Sequence, residues 1–134
     1  MKRINRILLV DDDEPTNFLN KHIINKYELA EEIVVKHNGA EALEYLTSAV
    51  DGKYPTPDII LLDINMPVMD GWEFIDEYKN VDEAIRAKVI VFMLTTSLNP
   101  DDEAKAATIK EINAFLNKPL TQKEILEIFN RFFD

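Results

Sequence analysis

Asp58-Ile59-Ile60-Leu61-Leu62-Asp63-Ile64-Asn65-Met66-Pro67-Val68-Met69-Asp70-Gly71 is the stretch that decides the fold. Four apolar side chains in a row run into a carboxylate. A strand with one wet face alternates apolar and polar residues. A short continuous apolar run fits instead a strand buried on both faces, as in a parallel sheet covered by helices. Pro67 then fixes the backbone for a turn, and Asp70-Gly71 opens the next helix.

The same kind of run recurs at Ile7–Val10, Ile33–Val35 and Val89–Leu94, and more weakly at Ala114–Leu116. Helical patterns lie between them. Phe18, Leu19, Ile23, Ile24 and Tyr27 form the expected apolar face of the first helix. Ala42, Leu43 and Leu46 mark the second, and Phe74, Ile75 and Tyr78 the third. A fourth, alanine-rich and weakly amphipathic, covers Asp101–Lys110; it opens at Asn99-Pro100-Asp101-Asp102, with a capping side chain, Pro at the first helical position and acids in the first turn. The last carries Ile125, Leu126, Ile128, Phe129 and Phe132, and Thr121 with Glu124 makes a capping box at its start.

A strand followed by a helix, five times over, predicts an α/β chain with right-handed crossovers and an open doubly wound sheet. The flavodoxin-like order 2-1-3-4-5, with helices on both faces, is favoured. Val50–Pro57, with Gly52, Pro55 and Pro57, reads as a loop before the third strand. Neither repeat nor linker interrupts the pattern, so a single domain over residues 1–134 is expected, with no output domain.

Composition narrows the function. The chain has 134 residues, 46% of them hydrophobic and 30% charged, enough apolar matter for one packed core. Without cysteine there is neither a disulfide framework nor a thiolate metal site. A net charge of −10 repels nucleic-acid phosphates and anionic lipid, so direct nucleic-acid binding is not expected. The apolar run behind Met1-Lys2-Arg3 stops at Asp11-Asp12-Asp13, too soon for a secretory signal, and Val89–Leu94 is far too short to span a bilayer. A soluble cytoplasmic protein without membrane insertion is the expectation.

In an open α/β sheet, ligands bind beyond the carboxyl ends of the strands, near the point where the strand order reverses. Those ends carry Asp11-Asp12-Asp13, then Asp63, then Thr95-Thr96, then Lys118-Pro119. With the first and third strands adjacent, Asp11, Asp12 and Asp63 converge. Such a group must raise its own pKa values or attract a cation. Oxygen donors with neither His nor Cys favour a hard ion, Mg2+ first. A lysine and a threonine hydroxyl arriving from other strand ends can hold a tetrahedral anion. Metal, carboxylate, lysine and hydroxyl together suit phosphoryl transfer, which asks for positioning and charge neutralisation. Each residue alone has a plainer reading: a helix cap for Asp13, a turn residue for Asp63, a solvated lysine for Lys118, a core aromatic for Phe115. Trp72 reads as a packing residue near the site, and neither His22 nor His37 is assigned a ligand role.

Taken together, Ile7-Leu8-Leu9-Val10-Asp11-Asp12, the Asp58–Gly71 stretch, Leu94-Thr95-Thr96 and Lys118-Pro119 resemble the receiver family of two-component signalling, chemotaxis-type single domains included. The resemblance covers almost the whole chain. It implies a phosphorylation switch rather than an enzyme acting on other substrates. Asp63 would accept phosphate from a histidine kinase or histidine phosphotransfer protein. Asp12 and Asp63 would bind Mg2+ (or Mn2+) directly, with the Asn65 backbone carbonyl as the third protein ligand and Asp11 orienting a metal-bound water. Lys118, the Thr95 hydroxyl and the Thr96 N–H would hold the phosphoryl oxygens, and Phe115 would be the aromatic switch read by an unidentified downstream protein.

Two departures bear on the output face rather than on the chemistry. The switch residue is Phe, without a phenolic hydroxyl, and Glu111-Ile112-Asn113-Ala114 replaces the glycine-containing approach to the fifth strand usual in the family. Metal-dependent hydrolases compete for the same pattern. Toprim-type and haloacid-dehalogenase-type sites, however, want a second Asp two residues after the first, and Asn65 stands there. A phosphate-independent adaptor is the third alternative.

Overall fold

A computed structural model describes residues 4–94, 100–118 and 120–133. In chain order its elements are β1 (Ile4–Val10), α1 (Glu14–Lys26), β2 (Ala30–Lys36), α2 (Gly39–Thr47), β3 (Ile59–Asp63) and α3 (Gly71–Tyr78). A short 3-10 turn follows (Glu83–Ile85), then β4 (Val89–Leu94), α4 (Pro100–Ala107), β5 (Ala114–Asn117) and α5 (Gln122–Phe133). The sheet has five parallel strands in the order β2-β1-β3-β4-β5, as the sequence predicts.

The continuous apolar runs are explained by the two cores they serve. Ile7 and Leu9 of β1, with Ile59 and Leu61 of β3, face Ile23 and Ile24 of α1 and Ile125, Ile128 and Phe129 of α5. Their neighbours Leu8, Val10, Ile60 and Leu62 face Ala42 and Leu46 of α2, Phe74, Ile75 and Tyr78 of α3, and Ala106 of α4. Every residue of β3 is buried, including Asp63 at its end.

The caps set the helix starts. Asp13 caps α1 by accepting from the Thr16 N–H, and Asn38 caps α2 by accepting from the Glu41 N–H. Asp70 and Glu73 form a capping box on α3, and Thr121 and Glu124 form the predicted one on α5. Asn99, the predicted cap of α4, lies outside the described residues; α4 itself ends at Ala107, short of the Lys110 expected.

One expectation about packing is overturned. Phe18 and Leu19 are not on the buried face of α1: they are 74% and 53% exposed. The buried stripe is Asn17, Asn20, Ile23 and Ile24. Counting back from Ile23 and Ile24 in steps of three and four residues arrives at Asn20 and Asn17, roughly 100° around the helix from Phe18. Apolarity misled the sequence reading, and the helical period was the better guide.

Candidate functional site

The site is built from backbone ends. Register pairs Val10 of β1 with Leu62 of β3, so Asp11 and Asp63 leave the sheet side by side. Asp11 and Asp63 are almost fully buried, while Asp12 is exposed. One carboxylate oxygen from each of Asp11, Asp12 and Asp63 falls within a cluster no more than 4.8 Å across. Asp13 points away, into its helix cap.

Lys118, just past β5, reaches across to this cluster. Its Nζ donates to Asp11 Oδ2 at 2.8 Å and stands 3.4 Å from Asp63 Oδ1. The second contact is an ion pair without hydrogen-bond alignment, since Asp63 Oδ1 is buried and has no hydrogen-bond partner. Asp11 is held on every side. Its N–H donates to the Lys36 carbonyl, its Oδ1 accepts from the Asp13 N–H, and its carbonyl accepts from Asn17 Nδ2.

The electrostatics follow from burial. Loss of water around Asp63, reinforced by the neighbouring Asp11 charge and only partly offset by Lys118, pushes its carboxyl up from 3.8 to about 6. Burial pulls the Lys118 ammonium down, but its hydrogen bond to Asp11 and the charges of Asp11 and Asp63 outweigh that and leave it raised. The lysine therefore stays charged, and one cation serves two buried carboxylates.

The loop from Ile64 to Asp70 closes over this edge. Gly71 N–H donates to the Ile64 carbonyl at 2.7 Å, and Met69 N–H to the Pro67 carbonyl at 2.7 Å, with Val68 at φ 68° between them. Gly39 N–H donates to the Met69 carbonyl at 2.9 Å and fastens the loop to the start of α2. Asn65 lies exposed in this loop, two residues beyond Asp63. The Lys105 ammonium of α4 sits 4.3 Å from the ring centre of Trp72, and Trp72 packs on the core shared by α2 and α3. His37 Nε2 lies 2.7 Å from Glu14 Oε1, joining the β2–α2 loop to the start of α1.

The structure thus brings together Asp11, Asp12, Asp63 and Lys118. Thr95, Thr96 and Pro119 lie outside the described residues. Phe115 is half-buried, opposite Phe92 in the β4–β5 register, and packs on the core that includes Ala106 of α4. Asn17 and Met69 were not foreseen as neighbours of the site. The periodicity of α1 points to Asn17; nothing local in the sequence points to Met69, whose contact with Gly39 spans thirty residues.

The response regulator receiver domain family matches residues 7–130. The chain belongs to that family. Receiver domains are phosphorylation-dependent signalling switches of two-component systems, not enzymes in the general sense; they take phosphoryl groups from histidine kinases and bind Mg2+ in an acidic pocket. Among similar proteins, response regulator Rcp1 of Synechocystis is 31% identical over 91% of this chain and 82% of its own length. Chemotaxis protein CheY of Thermotoga maritima is 34% identical over 94% of this chain and 95% of its own. A two-component response regulator from Cytophaga hutchinsonii has a crystal structure with a TM-score of 0.78 and 35% identity, covering 98% of each chain. The phosphorylated cyanobacterial phytochrome response regulator RcpA gives 0.76 at 27% identity, over 96% of this chain and 93% of its own. No helix among the described residues is long and apolar enough to cross a membrane.

Proposed function

We propose that this receiver is switched by phosphorylation of Asp63 with a divalent ion, Mg2+ or Mn2+, held beside it. The observation that carries the reading is the Asp63 carboxylate: its Oδ1 is buried without a hydrogen-bond partner, and one of its oxygens clusters with oxygens of Asp11 and Asp12. The Lys118 ammonium, 3.4 Å from Oδ1, is shared with Asp11 and not aligned to hydrogen-bond it, so burying this oxygen still costs free energy that a further cation or a reacting group would offset. The all-oxygen donor set fits a hard ion that keeps part of its water shell. Asp12 and Asp63 would hold it directly with the Asn65 carbonyl, and Asp11, already fixed by Lys118 and Asp13, would orient one of its waters. When bound, the ion neutralises charge on the transferring phosphoryl oxygens.

Asp63 does the chemistry as a carboxylate. Its oxygen attacks the phosphorus of a phosphohistidine on a histidine kinase or phosphotransfer protein. A carboxylate O–P bond forms, the imidazole N–P bond breaks, and the leaving imidazole takes up a proton. Lys118 lies near enough to Asp63 to pair with a phosphoryl oxygen there. Roles for the Thr95 hydroxyl and Thr96 N–H rest on the family resemblance. Hydrolysis of the acyl phosphate at the same site completes the cycle, so the domain catalyses only its own phosphorylation and dephosphorylation.

The modified domain would be read by a protein partner at α4, β5 and α5, where Phe115 packs on the core that includes Ala106. We place it in the cytoplasm, with no direct nucleic-acid contact given its charge of −10. Incubation with a small-molecule phosphodonor and Mg2+, followed by intact-mass measurement, should show one labile phosphoryl adduct that Asp63→Asn abolishes. Turnover of donor without adduct would indicate a hydrolase; neither adduct nor turnover would indicate a phosphate-independent adaptor. Beryllofluoride should shift amide resonances as far as α4 and Phe115, and changes confined to the neighbourhood of Asp63 would exclude this output route.

A further inference from the structure

We infer that Asn17 is a positioning residue for the metal-binding carboxylates: it clamps the Asp11–Asp12 peptide plane and so sets where Asp12 points. The inference rests on the proposed metal site. Asn17 is 2% exposed, in a helix position where Leu or Ile would pack better and favour the helix more. Its side chain makes one hydrogen bond, from Nδ2 to the Asp11 carbonyl at 2.9 Å, and Oδ1 is buried without a partner. The orientation of the amide is fixed by that bond, since a flip would set oxygen against oxygen. A half-satisfied buried amide adds little to the packing of a helix and is best explained by what it holds.

What it holds is the peptide unit joining Asp11 to Asp12. The carbonyl of Asp11 and the N–H of Asp12 share one rigid plane, so fixing the carbonyl fixes the direction in which the chain enters Asp12. The Asp11 N–H is tied to Lys36, and the Asp11 carboxylate to Asp13 and Lys118. The Asp12 carboxylate is exposed and has no hydrogen bond or ion pair among the described residues. Its approach to Asp63 therefore depends on the backbone, and Asn17 is the side chain that holds that backbone from below.

Titration of the full chain with MgCl2 alone, followed by amide chemical shifts, tests this beside urea unfolding in EDTA. Asn17→Leu keeps the branching and heavy-atom count, in a larger side chain, and removes the donor. It should leave stability in EDTA unchanged or raised, yet raise the Mg2+ Kd by about tenfold, the scale of losing a group that orients a metal ligand. A merely structural role would lower stability and leave Kd alone. Should Asn17→Leu fail to fold, Asn17→Ala carries the same measurement. A Kd within about twofold of wild type in a folded variant, while Asp12→Ala removes binding, overturns the role of Asn17 and spares the metal site. Absence of Mg2+ binding by the wild-type chain overturns both.

Discussion

The Lys118 ammonium lies 3.4 Å from Asp63 Oδ1 but directs its aligned hydrogen bond to Asp11 Oδ2, 2.8 Å away. One cation thus stands between two carboxylates, offsets only one of their two negative charges, and leaves an oxygen of the second without an aligned hydrogen bond. Lys118 is 12% exposed at its side chain, so its removal leaves Asp11 and Asp63 as neighbouring charges with no counter-charge from β5. Lys118→Met should cost on the order of 3 kcal/mol in EDTA at neutral pH. The same variant should bind Mg2+ more tightly than wild type, because a competing positive charge is gone, and gain phosphate more slowly. Urea unfolding with and without Mg2+, and the rate of adduct formation, check all three. Weaker Mg2+ binding in the variant would mean that Lys118 organises the carboxylates rather than competing for them.

Gly39 tests whether the Ile64–Asp70 loop belongs to the site. A Cβ at Gly39 would stand 2.8 Å from Met69 Cγ and 3.0 Å from the Met69 carbonyl. The thioether can swing aside, but the carbonyl is backbone and is bonded to Gly39 N–H. Gly39→Ala gains up to about 1 kcal/mol of helix propensity, against which the clash must be set. We expect a net loss on the order of 1 kcal/mol, and weaker Mg2+ binding as the loop carrying Asn65 moves away. Calorimetric Tm and the Mg2+ titration give the two readings; a more stable variant with unchanged affinity would show that the loop yields freely.

Val68 holds a φ of 68°, which disfavours a β-branched residue, and it is 82% exposed. The Met69 N–H bond to the Pro67 carbonyl closes a γ-turn around it, a strained form. Since Val68 buries little, replacement loses almost no packing. Val68→Asn, which tolerates this region without the entropy of Gly, should stabilise the domain by about 1 kcal/mol. Stability equal to or below wild type would locate the strain elsewhere in the loop.

The fold was legible because the central strands β1 and β3 are buried against helices on both faces and read as unbroken apolar runs, and shorter apolar runs mark the others. Asp11, Asp12, Asp63 and Lys118 were legible because they stand at the ends of those runs, where topology alone brings them together. The face of α1 was misread because Phe18 and Leu19 are apolar and exposed while Asn17 and Asn20 are polar and buried. Asn17 is inside for one hydrogen bond to a backbone atom six residues away, a demand that hydropathy does not express. The Met69–Gly39 contact was invisible for a related reason: it joins two backbones, and only the missing Cβ of Gly39 marks it.

The pH dependence of Asp63 gives a further test. Its carboxyl titrates near 3.8 in the unfolded chain and is raised to about 6 in the fold, first by burial and then by Asp11. The folded state therefore binds a proton more tightly than the unfolded state. The stability tied to that proton is fully present below 3.8 and is lost as pH rises through about 6. Above that, the fold carries an ionised, buried Asp63 at a cost on the order of 3 kcal/mol. Asparagine has the same shape and no charge to bury. In EDTA, Asp63→Asn should be more stable than wild type by about 2–3 kcal/mol at neutral pH, with the difference shrinking towards pH 4. Mg2+ should reverse the order by binding the wild-type carboxylate and not the amide, so that wild type gains stability with concentration while the variant does not. Urea unfolding at several pH values, with EDTA or excess Mg2+, separates the contributions. If Asp63→Asn is no more stable than wild type at neutral pH without metal, then Lys118 compensates Asp63 fully, and the site is not held in a state of unmet charge.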